Sequence, residues 1–217
     1  MNKLASSETS PLVVVLDHYD SFVHNLARYL RLAGLRTLVH RADAITIDEL
    51  RGFEIAGLVL SPGPKTPHDG GIGLEVLGAF SPTIPTLGVC LGHQAIGCAF
   101  GGELRRSEPV HGIATEVHHD GTGLFTGLPS PLPAGRYHSL SIDRSHVPAD
   151  LQINAWTPDG TIMGVRHRRY PIDGLQFHPE SVLTPHGQRM IDSFANQVRM
   201  SLAGHLRARD DQDMAVR

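Results

Sequence analysis

The chain has 217 residues, 41% of them hydrophobic, and a formal net charge of −3 from 19 Lys and Arg against 22 Asp and Glu. That is enough for one compact domain with a core, and the charge balance excludes a nucleic-acid-binding surface. No apolar run approaches the roughly 18 residues needed to cross a bilayer, and Met1–Ser10 is polar without a hydrophobic centre. No membrane span or secretory signal is expected, and the protein is expected in the cytoplasm.

Leu12–Leu16 reads as a short apolar strand that Asp17 ends. Asp20 or Ser21 can cap the helix that follows, whose Phe22, Leu26, Tyr29, Leu30 and Ala33 recur at steps of three and four, and Gly34 closes it. Leu35–Val39 is the second strand, Thr46-Ile47-Asp48-Glu49 has capping-box spacing for a short helix, and Ala56–Leu60 is a third buried strand. This alternation predicts an α/β fold with a doubly wound, mostly parallel central sheet. In such sheets ligands collect at the carboxyl ends of the strands, where Asp17, Ser61 and Cys90 fall.

Directly after the third strand comes Ser61-Pro62-Gly63-Pro64-Lys65-Thr66-Pro67. The prolines fix this loop, and Gly63 lets backbone approach something closely. Either it is a rigid loop without a ligand, or its Gly63 amide joins that of Leu91 as an oxyanion hole beside Cys90.

The most informative segment is Thr86-Leu-Gly-Val-Cys-Leu-Gly-His93. An apolar run from Ile84 to Val89 meets Cys90, with Gly88 and Gly92 two residues away on either side, and a helical segment follows over His93–Phe100. Gly-x-Cys-x-Gly between strand and helix is the thiol form of a nucleophile elbow, whose sharp turn requires neighbours without a β-carbon. The same turn places Cys90 at a helix N-terminus, which favours thiolate. The alternative is a small buried Cys closing a parallel strand. Cys98 lies about 12 Å further along the helix, too far for a disulfide with Cys90, and is expected to be a buried apolar residue.

After Gly102 the pattern changes to short strand-like pieces (Ala114–Val117, Leu151–Trp156, Ile162–Val165, Ile172–Phe177) joined by turns such as Asp120-Gly121. They form an antiparallel extension that returns to the main sheet. The basic cluster Arg166-His167-Arg168-Arg169 reads as a solvated hairpin turn, with an anion site as the alternative. At that return stands Leu175-Gln-Phe-His-Pro-Glu-Ser181. Pro179 rules out helix, and side chains two apart in extended chain share a face. His178 and Glu180 therefore sit side by side, an imidazole to move protons and a carboxylate to orient it, as a cysteine nucleophile requires. A closing helix is expected over about His186–Met200, with Met190, Ile191, Phe194 and Val198 on one face.

The domain is expected over 12–200, with a flexible extension over 1–11 and a disordered tail over 201–217. Fourteen histidines raise the question of metal. With His118 and His119 adjacent, no His-x-x-x-His on a helical face and no Cys-x-x-Cys, no metal site is expected.

With these residues in place, the chain resembles the class I, triad-type glutamine amidotransferases, from about Leu12 to Val198. Within them it is similar to the glutaminase subunits (component II) of anthranilate synthase and aminodeoxychorismate synthase. The matching stretches are Asp17-His18-Tyr19-Asp20-Ser21-Phe22, Ser61-Pro62-Gly63-Pro64, Gly88-Val-Cys-Leu-Gly-His-Gln-Ala-Ile96, His111-Gly112, His119-Asp120-Gly121, Arg136-Tyr-His-Ser-Leu140 and Gln176-Phe-His-Pro-Glu-Ser181. The resemblance implies a flavodoxin-like sheet, Cys90 as nucleophile, His178 as general acid/base and Glu180 as its orienting partner. It implies an oxyanion hole from the Gly63 and Leu91 amides. It also implies a glutamine site made by Gly63, Pro64, Lys65, Gln94, Ser139 and Leu140. No cofactor is implied. The implied partners are L-glutamine and a chorismate-binding synthase subunit (component I) that receives the ammonia. The alternatives are a phenazine-type aminochorismate synthase, a stand-alone Cys-His-Glu γ-glutamyl hydrolase and a silent scaffolding subunit. Three positions depart from the family pattern: Lys65 where Gly is usual, His18 where Asn is common, and Ile113 where Lys is common.

Overall fold

The computed structural model describes residues 10–215. The expected extension over 1–11 therefore lies outside the described residues as far as residue 9. Strands β1 (Leu12–Asp17), β2 (Arg36–Arg41), β3 (Ile55–Leu60), β4 (Thr86–Val89), β5 (Leu104–His119), β6 (Leu132–Ile142), β7 (Leu151–Trp156), β8 (Ile162–His167) and β9 (Ile172–Leu175) form one sheet in the order β2-β1-β3-β4-β9-β8-β7-β5-β6. The first five in that order are parallel, and β8, β7 and β5–β6 add antiparallel pairs.

The helices are α1 (Val23–Leu32), α2 (Ile47–Arg51), α3 (Gly73–Ala79), α4 (Leu91–Ala99) and α5 (Gly187–Ala215). Alternation along β1 explains why they cover both faces. Val13 and Val15 pack with Leu26 and Leu30 of α1 and Phe194 and Val198 of α5, whereas Val14 and Leu16 pack with Leu50, Leu77 and Ile96 from α2, α3 and α4. Leu26 and Leu30 are fully buried, each stabilising the fold by about 1.5–3 kcal/mol. From β1 the chain passes to β2 on one side and to β3 on the other. That creates the crevice at the carboxyl strand ends in which the site lies.

Several local expectations are corrected. Asp20 does not cap the first turn of α1: its carboxylate accepts from Phe22 N–H at 3.0 Å, just ahead of the helix, and no side chain caps that end. The Thr46–Glu49 capping box is present in both directions. Cys98 is half-buried rather than buried. β5 is much longer than Ala114–Val117, and its partner β6 has no counterpart in the strand reading. β5 lacks a clean apolar alternation because much of it is exposed in a two-stranded ribbon, and β6, although mostly buried, carries polar residues at buried positions such as Arg136, His138 and Ser141. α5 runs on past Met200, so the segment expected to be disordered from 201 is helical as far as Ala215; Gly204 alone does not break it. Of the basic cluster, Arg168 and Arg169 lie exposed in the turn between antiparallel β8 and β9, whereas Arg166 and His167 end β8 and His167 is buried; Arg169 and Tyr170 N–H groups donate to His167 Nδ1.

The junction of β4 and α4 is tightly packed. A β-carbon built on Gly88 would lie 2.4 Å from the Gly92 carbonyl oxygen, and one on Gly92 would lie 2.3 Å from the Leu60 carbonyl oxygen. Gly92→Ala is therefore expected to destabilise the protein by about 3 kcal/mol or more, the upper range for overpacking. Gly78→Ala in α3, where a methyl meets nothing within 4 Å, should be neutral or stabilising by up to about 1 kcal/mol. Urea unfolding midpoints of the two variants check the contrast, and equal midpoints would refute it.

Candidate active site

Cys90 occupies the corner between β4 and α4 with φ 52° and ψ −98°, a conformation rare for any residue with a β-carbon. Two backbone bonds hold it there: Cys90 N–H donates to Leu175 O of β9 at 2.8 Å, and Gln94 N–H donates to Cys90 O at 3.1 Å. Leu91, the first residue of α4, has an N–H with no acceptor within its helix.

His178 follows β9, the strand beside β4, so the sheet itself brings the imidazole to the thiol. Its backbone is tied down by a closed set of bonds. His178 N–H donates to Gly135 O (3.0 Å), Gly135 N–H donates to Thr184 Oγ1 (3.0 Å), and Thr184 Oγ1 donates to His178 O (2.7 Å). Nδ1 of the ring donates to Glu180 Oε1 at 2.6 Å, with both side chains nearly inaccessible to solvent. Nε2 has no conventional hydrogen-bond partner, and the group that acts on it is Cys90. Burial disfavours the charged ring, but the Cys90 sulfur and the Glu180 carboxylate outweigh it and push the His178 pKa up to about 10. The Tyr137 ring meets that of His178 edge-on, with centroids 4.9 Å apart, and its hydroxyl lies 3.3 Å from Ser181 Oγ.

Cys90 is 5% exposed, but it opens on a cavity of about 170 Å³ lined by Gly63, Pro64, Lys65, Gln94, Tyr137, His138, Ser139 and Leu140. Every position expected to touch glutamine lies in that lining, although α4, β6 and the loop after β3 are far apart in sequence. The Leu140 carbonyl already accepts from Gln94 Nε2 (3.0 Å) and His138 Nδ1 (3.0 Å), so it is not free for a ligand. Gly63 is needed for close approach: a β-carbon there would lie 2.4 Å from the His18 carbonyl oxygen. His18, at the position where Asn is common, is buried beneath this loop; its N–H donates to Ser61 Oγ at 2.9 Å, and burial lowers its pKa. Lys65 stands at φ 74°, in the left-handed region that favours the glycine it replaces.

Leu91 also faces a neighbouring cavity of about 350 Å³, across Pro64 and Lys65. Its acidic residues are already engaged, Asp17 with Arg41, Asp43 with Tyr19 and Asp69 with Thr66. That larger space contains neither Cys90 nor Gln94, so the smaller cavity is the candidate site.

Four polar side chains belong to this region to which the sequence reading gives no role in the site: Asp20, Arg136, His138 and Gln176. Burial raises the Asp20 pKa to about 6, with nearby His178 pulling it down and Glu180 pushing it up, which sets Asp20 within electrostatic reach of both. Among the described residues, no group of three or more His, Cys, Asp or Glu side chains is placed to hold a metal ion. No helix there is long and apolar enough to cross a membrane.

Residues 14–198 match the family model described as glutamine amidotransferase class-I. The chain is 48% identical over 191 residues to the anthranilate synthase component 2 of Methanothermobacter marburgensis, covering 84% of this chain and 97% of that protein. It is 43% identical over 189 residues to the aminodeoxychorismate/anthranilate synthase component 2 of Bacillus subtilis, covering 87% and 97% respectively. Among solved structures, a candidate GMP synthase subunit from Thermoplasma acidophilum superimposes with a TM-score of 0.78 at 26% identity, covering 90% of this chain and 98% of that one.

The raised pKa of His178 has a direct consequence. Because the folded protein holds the proton more tightly than the unfolded chain, where His titrates near 6.5, this group stabilises the fold fully below that pH. The contribution is lost as pH rises toward about 10. Glu180→Gln removes one source of the shift and should lower the His178 midpoint in an NMR titration. A midpoint near 6.5 in the parent protein would contradict this account of the site.

Proposed function

We infer that this chain, which belongs to the class-I glutamine amidotransferase family, is the glutaminase subunit of a chorismate-using synthase. It releases ammonia from L-glutamine and passes it to a component I partner that makes anthranilate or 4-amino-4-deoxychorismate. The observation that carries the reading is Cys90 at its strained corner, electrostatically coupled to a His178–Glu180 pair and facing the cavity that collects all the expected glutamine contacts.

Residues 12–200 are taken as the catalytic unit. Glutamine lies with its α-carbon end against Gln94, Ser139 and the Pro64–Lys65 wall, and its carboxamide over Cys90. The sulfur attacks the amide carbon, and the Gly63 and Leu91 N–H groups hold the oxygen as it gains charge. His178 gives a proton to the departing nitrogen, ammonia leaves, and a glutamyl thioester remains on Cys90. Water, losing its proton to His178, then cleaves the thioester and releases glutamate. Glu180 keeps the ring oriented throughout. No metal or cofactor enters any of these steps.

A partner subunit is supported by what surrounds the mouth of the site. Phe22, Ile113 and Val182 are large and apolar yet 41%, 57% and 91% exposed. Phe22 packs on Tyr137 at 6.1 Å, and Tyr137 meets His178, so this exposed edge adjoins the reacting groups. Ammonia becomes ammonium in bulk water at neutral pH and loses its nucleophilicity. A subunit seated here would receive it first. The complex is placed in the cytoplasm.

Cys90→Ser should abolish glutamine-dependent amination by the assembled synthase while leaving amination from added ammonium salts intact. His178→Ala should lose more of the glutamine-dependent rate than Glu180→Gln, since an orienting group is less costly to remove. Product analysis with each candidate chorismate-using partner identifies the pathway. Retained glutamine use in Cys90→Ser refutes the reading, and full hydrolysis of γ-glutamyl peptides without any partner favours a stand-alone hydrolase.

A further inference from the structure

Gln176 has no part in the chemistry described so far, although it is fully buried and stands two residues before His178. Its side-chain amide has two polar neighbours. Oε1 accepts from Gln94 Nε2 at 3.4 Å, and Nε2 donates to the Cys90 sulfur at 3.8 Å.

The direction of that amide is imposed from a distance. Arg136 carries donors and no acceptor, so its Nε–H donates to His138 Nε2 at 3.1 Å. The His138 proton is then on Nδ1, which donates to the Leu140 carbonyl at 3.0 Å. Burial first, and then the Arg136 charge, push the His138 pKa down to about 4, so the ring stays neutral in this tautomer at neutral pH. Gln94 Nε2 donates to the same carbonyl at 3.0 Å. Turned over, Gln94 would set its own oxygen against that of Leu140, so its NH₂ group is the end offered to Gln176. Gln176 in turn must accept with its oxygen, which leaves its NH₂ group for the sulfur. Amide orientations are settled by such networks, and this one is fixed at the Leu140 carbonyl, a group that can only accept.

We propose that Gln176 is a further residue of the reaction centre, donating a hydrogen bond to the Cys90 sulfur in an orientation set by the Leu140 carbonyl through Gln94. The proposal rests on the reading of Cys90 as the nucleophile. A donor favours the anionic sulfur, because hydrogen bonds to charged groups are the stronger ones. It therefore stabilises the sulfur before attack and again when the thioester breaks and sulfur departs. Arg136 and His138 hold the Leu140 carbonyl in place, and His138 also lines the cavity.

The test is the pH dependence of Cys90 alkylation by iodoacetamide in the full chain, read by peptide mass spectrometry with Cys98 as the internal reference. Gln176→Met keeps the length and removes the donor; Gln176→Glu keeps an acceptor for Gln94 but sets a carboxylate beside the sulfur. The Cys90 midpoint should move up by about one pH unit in Gln176→Met, as expected for one lost bond to a charged group, and further in Gln176→Glu. The Cys98 profile should not move. Glutaminase kcat should fall, with KM nearly unchanged. Unmoved midpoints in folded variants would overturn the proposal. Should either variant fail to fold, the unmodified protein decides: the Gln176 side-chain amide ¹⁵N and ¹H signals must shift when Cys90 is alkylated, and unchanged signals overturn it. Alkylation needs no glutamine, so its outcome is separate from the fate of the glutaminase reading, which Cys90→Ser addresses alone.

Discussion

The backbone at Cys90 is the constraint on which the rest of the structure depends. A residue with a β-carbon held at φ 52° and ψ −98° costs on the order of 1–3 kcal/mol and persists only where its surroundings over-determine it. Those surroundings are identifiable. Gly88 and Gly92 let β4, α4 and the end of β3 approach within distances that no β-carbon permits, and Leu175 of β9 fastens the Cys90 amide. The same strand that fastens the thiol leads straight into His178. Strain at the corner and alignment with the imidazole are therefore two results of one packing arrangement.

The parts of the site arrive from elements with different physical characters. β1, β3, β4 and β9 are buried on both faces and give a rigid floor. β5 is largely exposed, and its partner β6 leaves Ser139 exposed and Leu140 half-buried, so this stretch is held by polar bonds as well as by burial. Arg136 and His138 do this by fastening the Leu140 carbonyl, which Gln94 also holds. Buried polar networks of this kind specify one arrangement only when their members are satisfied, and here the chain of donors ends at the sulfur. Lys65, held in a conformation that favours glycine, shows that the loop over the site keeps its backbone path even where the residue type does not favour it.

The floor of the site was legible in the sequence because its signals are local. Apolar runs ending in Asp17, Ser61 and Cys90 marked the carboxyl strand ends, and Gly-x-Cys-x-Gly marked the corner. Extended chain around Pro179 placed His178 beside Glu180, now 2.6 Å apart. What escaped was non-local or lacked periodicity. β6 is mostly buried but carries polar residues at buried positions, so no alternation announced it. Asp20 looked like a helix cap because Asp before an amphipathic run usually is one; only the fold brings it near His178 and Glu180. Gln176 and Gln94 lie 82 residues apart, and nothing in either segment alone indicates that their amides meet. The end of α5 was misjudged because composition suggested disorder where the helix continues.

Cys90 has to be the one sulfur that meets the carboxamide carbon of glutamine. The most direct measurement is treatment of the intact protein with a glutamine analogue carrying an alkylating carbon in place of the carboxamide, followed by peptide mass spectrometry. One adduct on Cys90, suppressed by excess glutamine, with Cys98 unmodified, is the predicted result. An adduct on Cys98, or no protection by glutamine in a folded protein, would contradict it.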